Sequence, residues 1–289
     1  MRVSRLSRAV PRVLFMLLVV ALAGCSMFGK KKENPLETLP VEQLYERGKQ
    51  ANEKGNYDVA VRTFSRLVAR FPFGPYTEQA QIEQAYAQYK MNKPEDAYST
   101  INRFIRTYPT HKHIDYAYYL RGLINFDREE GLLERYVGLD RTQRDQAYVR
   151  QSFDDFSELL RRYPTSRYAE DSRQRMVFLR NGMAQAEVNV ALYYLRRGAY
   201  VASANRAKTI IETYDRSPQV SDALAIMMLS YASLDQAPLA DEAERVLKLN
   251  YPTHPVLAGD KWPNWNSILW RMVPLSNRGS KPPPTMATQ

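Results

Sequence analysis

An all-α fold, a tetratricopeptide-repeat (TPR) solenoid of about five helix pairs, is what this sequence of 289 residues predicts. Three observations lead there. Glycine is scarce, at 12 residues, and no stretch alternates apolar and polar side chains as a strand would. The phrase Gly55–Pro72, GNYDVAVRTFSRLVARFP, reads as a tight turn, an amphipathic helix and a proline stop. Its Tyr57, Ala60, Phe64, Leu67, Val68 and Phe71 recur at spacings of three and four, so they share one helical face. Variants of the phrase then return along the chain.

Ala97, Ile101, Phe104, Ile105, Tyr108 and Pro109 repeat the offsets, as do Phe156, Leu159, Leu160, Tyr163 and Pro164. Ala207, Ile210, Ile211 and Tyr214 form a weaker copy with Asp215 in place of proline. Ala240, Leu247, Tyr251 and Pro252 form a fifth, with Glu244 at the position of Phe64. The copies end at intervals of 37, 55, 51 and 37 residues, the shortest just above the unit of about 34. Leu44, Gly48, Ala60, Phe64 and Pro72 also fall where that consensus wants apolar, Gly, Ala, Phe and Pro. Gly122 takes the slot of Gly48 in the third repeat. An ordinary helical bundle would not keep five copies in one phase.

The chain opens with Arg2, Arg5, Arg8 and Arg12 ahead of an apolar stretch from Val13 to Ala23, too short to span a membrane permanently. Leu22-Ala23-Gly24-Cys25 follows and resembles the lipobox of bacterial lipoproteins. Residues 1–24 are therefore expected to be removed as a signal peptide. Cys25, the single cysteine, would carry a diacylglyceryl group on sulfur and an acyl chain on its amine. Each buried methylene contributes about 0.8 kcal/mol, and stable anchoring takes more than one chain. By the same resemblance, Ser26 favours export to the outer membrane with the body facing the periplasm. Residues 25–40 form a lipidated, proline-punctuated tether, with Lys30–Lys32 near the headgroups or simply solvated.

Residues 41–252 carry the five repeats. In such an array the first helix of each pair lines the concave surface. The register places Tyr45, Lys49 and Asn52 there from the first repeat, then Ile82, Tyr86, Tyr89 and Lys90, then Tyr116 and Tyr119. A groove of tyrosines with a few lysines suits an extended peptide, because tyrosine offers apolar area and a hydrogen-bonding tip at low entropic cost. Lysines would meet a C-terminal carboxylate. The alternative, that individual tyrosines pack between neighbouring helices, stays open at this point.

The 55-residue interval points to an insertion at about 127–147, DREEGLLERYVGLDRTQRDQA, whose apolar residues suggest that it folds back on the array. The extra residues of the 51-residue interval fall in a nearly unbroken helical run from Tyr168 to Arg197. Four extra turns would add about 21 Å and make a projecting strut. Residues 253–289 form an extension holding Trp262, Trp265 and Trp270 and ending in a proline-rich tail expected to be disordered. Trp262, Trp265 and Leu269 stand on one side of a short helix, either capping the solenoid or offering a docking patch.

No catalytic constellation emerges. His111 and His113 flank Lys112 without a third ligand, and no glycine-rich phosphate loop or nucleophile elbow is present. The formal charge of +10 falls to about +6 once the four leader arginines are removed, and the charges are interspersed along helices. A nucleic-acid interface would want a concentrated basic face. No enzyme, no nucleic-acid partner and no cofactor beyond the Cys25 lipid are expected.

Particular phrases go further. They include Phe71-Pro72-Phe73-Gly74-Pro75-Tyr76, Arg103-Phe104-Ile105-Arg106 with Pro109-Thr110-His111, and Ile114-Asp115-Tyr116 followed by Leu120-Arg121-Gly122-Leu123. The insertion adds Gly138-Leu139-Asp140-Arg141 and Arg144-Asp145, and Val177-Phe178-Leu179 follows. From about Cys25 to Pro252 the chain resembles the BamD family, the TPR lipoproteins of the bacterial outer-membrane β-barrel assembly (BAM) machinery. The tryptophan segment and tail depart from that resemblance.

The resemblance implies a non-enzymatic, lipid-anchored subunit of a membrane-bound complex. It implies that the C-terminal repeats bind the periplasmic POTRA domains of BamA, with Asn205 and Arg206 on the contact face. The N-terminal repeats would recognise the C-terminal signal of unfolded outer-membrane proteins, which ends in an aromatic residue and a free carboxylate. Other BAM lipoproteins, such as BamC and BamE, are implied partners. The competing reading is a general periplasmic TPR scaffold lipoprotein that recruits cell-wall enzymes.

Overall fold

The computed structural model describes residues 38–128, 146–259 and 262–263. Cys25, most of the insertion, Trp265 and Trp270 lie outside the described residues. Among those described, ten helices run as five consecutive pairs. They are α1 (Val41–Glu53) with α2 (Tyr57–Arg70), α3 (Pro75–Lys90) with α4 (Pro94–Thr107), and α5 (Ile114–Phe126) with α6 (Gln146–Arg162). Then come α7 (Ala169–Arg196) with α8 (Tyr200–Thr213), and α9 (Val220–Ala232) with α10 (Ala237–Asn250).

Four of the five pairs turn in the same way. Each has one residue in the left-handed region after its first helix: Gly55 (φ 73°), Asn92 (φ 55°), Gly198 (φ 74°) and Asp235 (φ 57°). Glycine adopts that conformation freely, and Asn and Asp tolerate it better than other residues. The next amide then reaches back five positions, as in Asn56 N to Ala51 O at 2.8 Å and Lys93 N to Gln88 O at 3.0 Å. This closes off carbonyls that the helix end would leave unpaired. Pro75, Pro94 and Pro238 sit in the first turns of their helices, where the missing amide costs nothing.

Within a pair, the recurring offsets become contacts. Leu44, Ala60, Phe64 and Leu67 are all fully buried. A Cβ on Gly48 would lie 2.5 Å from Phe64 Cε1, and one on Gly122 would lie 2.5 Å from Phe156 Cε1. Gly122 therefore does hold the slot of Gly48, each glycine admitting the edge of a buried ring. Burying such a phenylalanine contributes about 1.5–3 kcal/mol.

The core is a series of linked clusters rather than one centre. The first surrounds Phe64, the second fills α3 to α6 and the start of α7, the third joins α7, α8 and α9, and the fourth joins α9 and α10. The 28-residue α7 is not the projecting strut that its length suggests. Leu179 and the half-buried Phe178 belong to the second cluster, while Met183, Val188, Ala191 and Leu192 belong to the third. Its extra turns are consumed by packing on both sides, so it joins the two halves of the array.

At the far end, Trp262 packs with Tyr251, Val256 and Leu257 against the fourth cluster and also touches the third. Its ring meets His254 edge-on at 4.8 Å, and His254 Nε2 lies 3.1 Å from Asp222 Oδ1. Trp262 thus covers the terminal apolar face, from a bend rather than a helix.

Candidate functional site

First helices of adjacent repeats touch one another, α1 with α3, α3 with α5 and α7 with α9, whereas second helices pack mainly against first helices. The first helices therefore form a continuous wall, and the groove residues expected from the sequence lie on it. They do so in three different ways.

Lys49 and Lys90 are exposed. Tyr45, Tyr86, Tyr89 and Tyr116 are half-buried. Tyr45 packs against Phe64 at 6.1 Å and Tyr76 at 5.5 Å between centroids, and Tyr86 meets Tyr57 edge-on at 6.3 Å. Tyr116 lies 5.4 Å from Tyr168. Asn52, Ile82 and Tyr119 are buried. Asn52 Nδ2 donates to Glu83 Oε2 at 3.0 Å, and so ties α1 to α3. Tyr119 stacks on Tyr168 at 4.7 Å with ring planes 15° apart.

The tyrosine hydroxyls have acceptors that their spacing did not reveal. Tyr89 Oη donates to the Asp127 carboxylate, and Tyr119 Oη donates to Asp171 Oδ2 at 2.7 Å. Arg175 Nε lies 2.6 Å from the same Asp171 oxygen, and the guanidinium sits 4.8 Å above the Phe126 ring. Arg175 is 1% exposed and is the largest fully buried side chain among the described residues. Burying a charge is costly unless it is paired, and here Arg175 is bonded to Asp171, which Tyr119 also meets, while the charge of Asp127, held by Tyr89, acts on the same guanidinium.

Burial, then the neighbouring carboxylate, raises the Tyr89 phenol well above its ordinary value. For Tyr119 burial comes first and the hydrogen bond to Asp171 second. Tyr45 is pushed up to about 12, by burial and then by the charge of Glu83. All of these hydroxyls stay protonated in neutral solution, and those of Tyr89 and Tyr119 act as donors. Glu83, Asp127, Asp171, Arg175 and Tyr168 are the wall residues that sequence reasoning missed. The i, i+4 pair Asp171/Arg175 was the available signal.

A second polar knot lies beneath the third repeat. Asp155 Oδ1 is 2.8 Å from Arg121 Nε, and Asp155 Oδ2 accepts from Asn125 Nδ2 at 2.7 Å. Burial raises the Asp155 carboxyl, against the pull of Arg121.

The C-terminal repeats are different. Asn205 and Arg206 are exposed on α8. Asn205 lines an apolar depression of about 460 Å³ with Gly198, Tyr200, Val201 and Leu234. Arg206 Nη1 lies 3.1 Å from Glu187 Oε2, with 48% of the arginine side chain exposed. Val201 is 60% exposed beside them. This face thus combines apolar area, an amide and a cation within about two turns of helix. No described helix is long and apolar enough to cross a membrane.

A family model described as outer membrane lipoprotein, YfiO, matches residues 37–246. Among curated relatives, the outer membrane protein assembly factor BamD of Xylella fastidiosa strain Temecula1 is 46% identical over 261 residues, covering 90% of this chain and 88% of the relative. The protein of the same name from Neisseria gonorrhoeae is 38% identical, covering 88% of this chain and 96% of its own. That from Vibrio cholerae is 33% identical over 81% of this chain and 96% of its own. Among solved structures, the crystal structure of MamA protein aligns with 72% of this chain and 88% of its own at 17% identity and a TM-score of 0.32.

Proposed function

Since this chain belongs to the outer membrane lipoprotein family that includes the BamD assembly factors, we propose that it is a non-enzymatic subunit with two working faces. Its general role is outer-membrane protein assembly, in association with the outer membrane. The first face is the wall of α1, α3 and α5. It takes the C-terminal signal of unfolded outer-membrane proteins, an aromatic side chain lying against tyrosine rings while the terminal carboxylate meets Lys49 or Lys90. Most of the binding energy would come from aromatic area, because partly exposed charge contacts contribute only about 0–1 kcal/mol each.

The second face is on α8. Asn205 and Arg206, beside the apolar depression, meet the periplasmic POTRA domains of BamA, and other lipoproteins of the complex bind alongside. Acyl chains on Cys25 hold the assembly at the outer membrane. The observation that carries this reading is the division of labour in the molecule: tyrosines along one wall, and an exposed apolar and cationic patch on another.

Co-purification from detergent extracts tests the reading as a whole. A stoichiometric large barrel protein is the expected companion of the wild-type chain. Recovery of cell-wall enzymes without the barrel would favour the scaffold reading instead. In the same extracts Cys25→Ala should leave the outer-membrane fraction, and a variant processed and fractionated like the parent would refute the lipid anchor.

A further inference from the structure

Several buried or half-buried carboxylates among the described residues have a cation. Asp155 has Arg121, Asp171 has Arg175 and Glu187 has Arg206. Glu83, on the wall face of α3, is different. Its Oε2 accepts from Asn52 Nδ2 at 3.0 Å and its Oε1 from Gln79 Nε2 at 3.4 Å, and both donors are neutral amides. Asn52 is 8% exposed, and its own Oδ1 has no partner among the described residues. Two acceptors thus lie on one amide–carboxylate pair, and no cation of the described residues satisfies them.

The surroundings are aromatic. Tyr45 and Tyr76 pack against each other at 5.5 Å on one side. The Glu83 charge helps raise the phenols of both Tyr45 and Tyr116, after burial. A carboxylate bonded only to neutral amides, with tyrosines close enough to feel its charge, is the chemistry that attracts an ammonium or guanidinium group.

We propose that Glu83 and Asn52 form a subsite for a cationic side chain, lysine or arginine, of the outer-membrane-protein segment lying along this wall. The inference rests on the peptide-binding reading above and narrows its substrate. Lys90 is exposed two turns further along the same helix face, about 10 Å away. An extended peptide covers that distance in about three residues. With the terminal carboxylate at Lys90, the cationic side chain belongs about three residues before the C-terminus.

The test uses the full mature chain and two synthetic peptides ending in phenylalanine with a free carboxylate. One carries lysine three residues before the end, and the other carries glutamate there. Titration should show about fivefold tighter binding of the lysine peptide, the scale of one partly exposed charge contact. Glu83→Gln keeps the side-chain shape, removes the charge and should abolish the preference with helical circular dichroism unchanged. Glu83→Lys should reverse it. Equal affinity of both peptides for the wild-type chain overturns the subsite alone, as does a preference that survives Glu83→Gln. Binding of neither peptide removes the peptide-binding reading and this inference together.

Discussion

The first three repeats and the last two use the same slots for different ends. In the first and third, glycine on the first helix faces phenylalanine on the second, Gly48 with Phe64 and Gly122 with Phe156. Counted from the left-handed turn residue, the second repeat puts Ala85 and Ile101 in those slots, both fully buried. One side shrinks as the other grows, so each pair is filled. The fourth repeat puts Ala191 and Ala207 there, and Ser203 Oγ donates to Ala191 O at 2.9 Å across the gap. The fifth puts Met228 opposite Glu244, and both are only half-buried. The N-terminal repeats thus bury Phe64, Phe104 and Phe156 inside, while Phe73, in the turn after the first repeat, stays 87% exposed. In the C-terminal repeats large apolar groups, Val201, Leu239 and Leu249, remain outside, where a partner can cover them. A solenoid tolerates this because each repeat depends only on its neighbours.

The strongest test of that contrast is in the glycine slots. Phe64→Ala and Phe156→Ala should each cost about 3–5 kcal/mol in urea unfolding. Gly48→Ala should cost about 1–3 kcal/mol by overpacking against the Phe64 ring. Combining Gly48→Ala with Phe64→Ile recreates the Ala85/Ile101 pairing of the second repeat and should recover part of that loss. If the double variant is no more stable than Gly48→Ala alone, size complementarity is not what holds these pairs.

The C-terminal side of the comparison is tested by binding rather than by stability. Arg206→Glu sets two acidic groups side by side at Glu187 and should weaken association with BamA by about 2–5 kcal/mol if the arginine is desolvated in the complex. Its helical circular dichroism should be unchanged, since the side chain is half-exposed. A folded variant that binds BamA as tightly as the parent would remove Arg206 from the contact.

On the N-terminal wall, Tyr86→Ala with Tyr89→Ala should weaken an aromatic-ended peptide more than Lys90→Ala does. Ring area outweighs a screened surface charge there, and added salt should weaken binding only modestly. The Tyr89 hydroxyl also satisfies Asp127, so Tyr89→Phe is the companion variant. It should cost about 0.5–1.5 kcal/mol of stability and leave peptide affinity nearly intact. Unchanged affinity in a correctly folded double variant would return these tyrosines to a purely structural role.

The smallest expected effect is in the alkaline range. Tyr45 has a folded pKa of about 12 against an ordinary value of 10.0, so the folded state holds its proton where the unfolded state has lost it. The associated stability is present below pH 10 and is lost as the pH rises towards 12. Tyr45→Phe should flatten that decline, measured by urea midpoints at several alkaline pH values. An identical decline in the variant would show that Tyr45 does not contribute to it.

What the sequence determined by itself is the local part of this protein. Helix existence, the pairing of helices, the tight turn at Gly55 and the Gly48 and Gly122 slots all follow from spacings within one repeat, because helical periodicity and turn chemistry act over a few residues. The family resemblance was legible for a related reason, since turn phrases such as Phe71–Tyr76 are contiguous in the chain. Only the tertiary structure decided the chemistry of the wall. Tyr89 and Asp127 are 38 residues apart and Tyr119 and Asp171 are 52 apart, and no periodicity says which carboxylate a buried hydroxyl will meet. The same holds for α7, whose length alone suggested a strut. Whether extra turns project or are buried depends on whether cores on both sides exist to receive them, and those cores are assembled from residues far away in the chain.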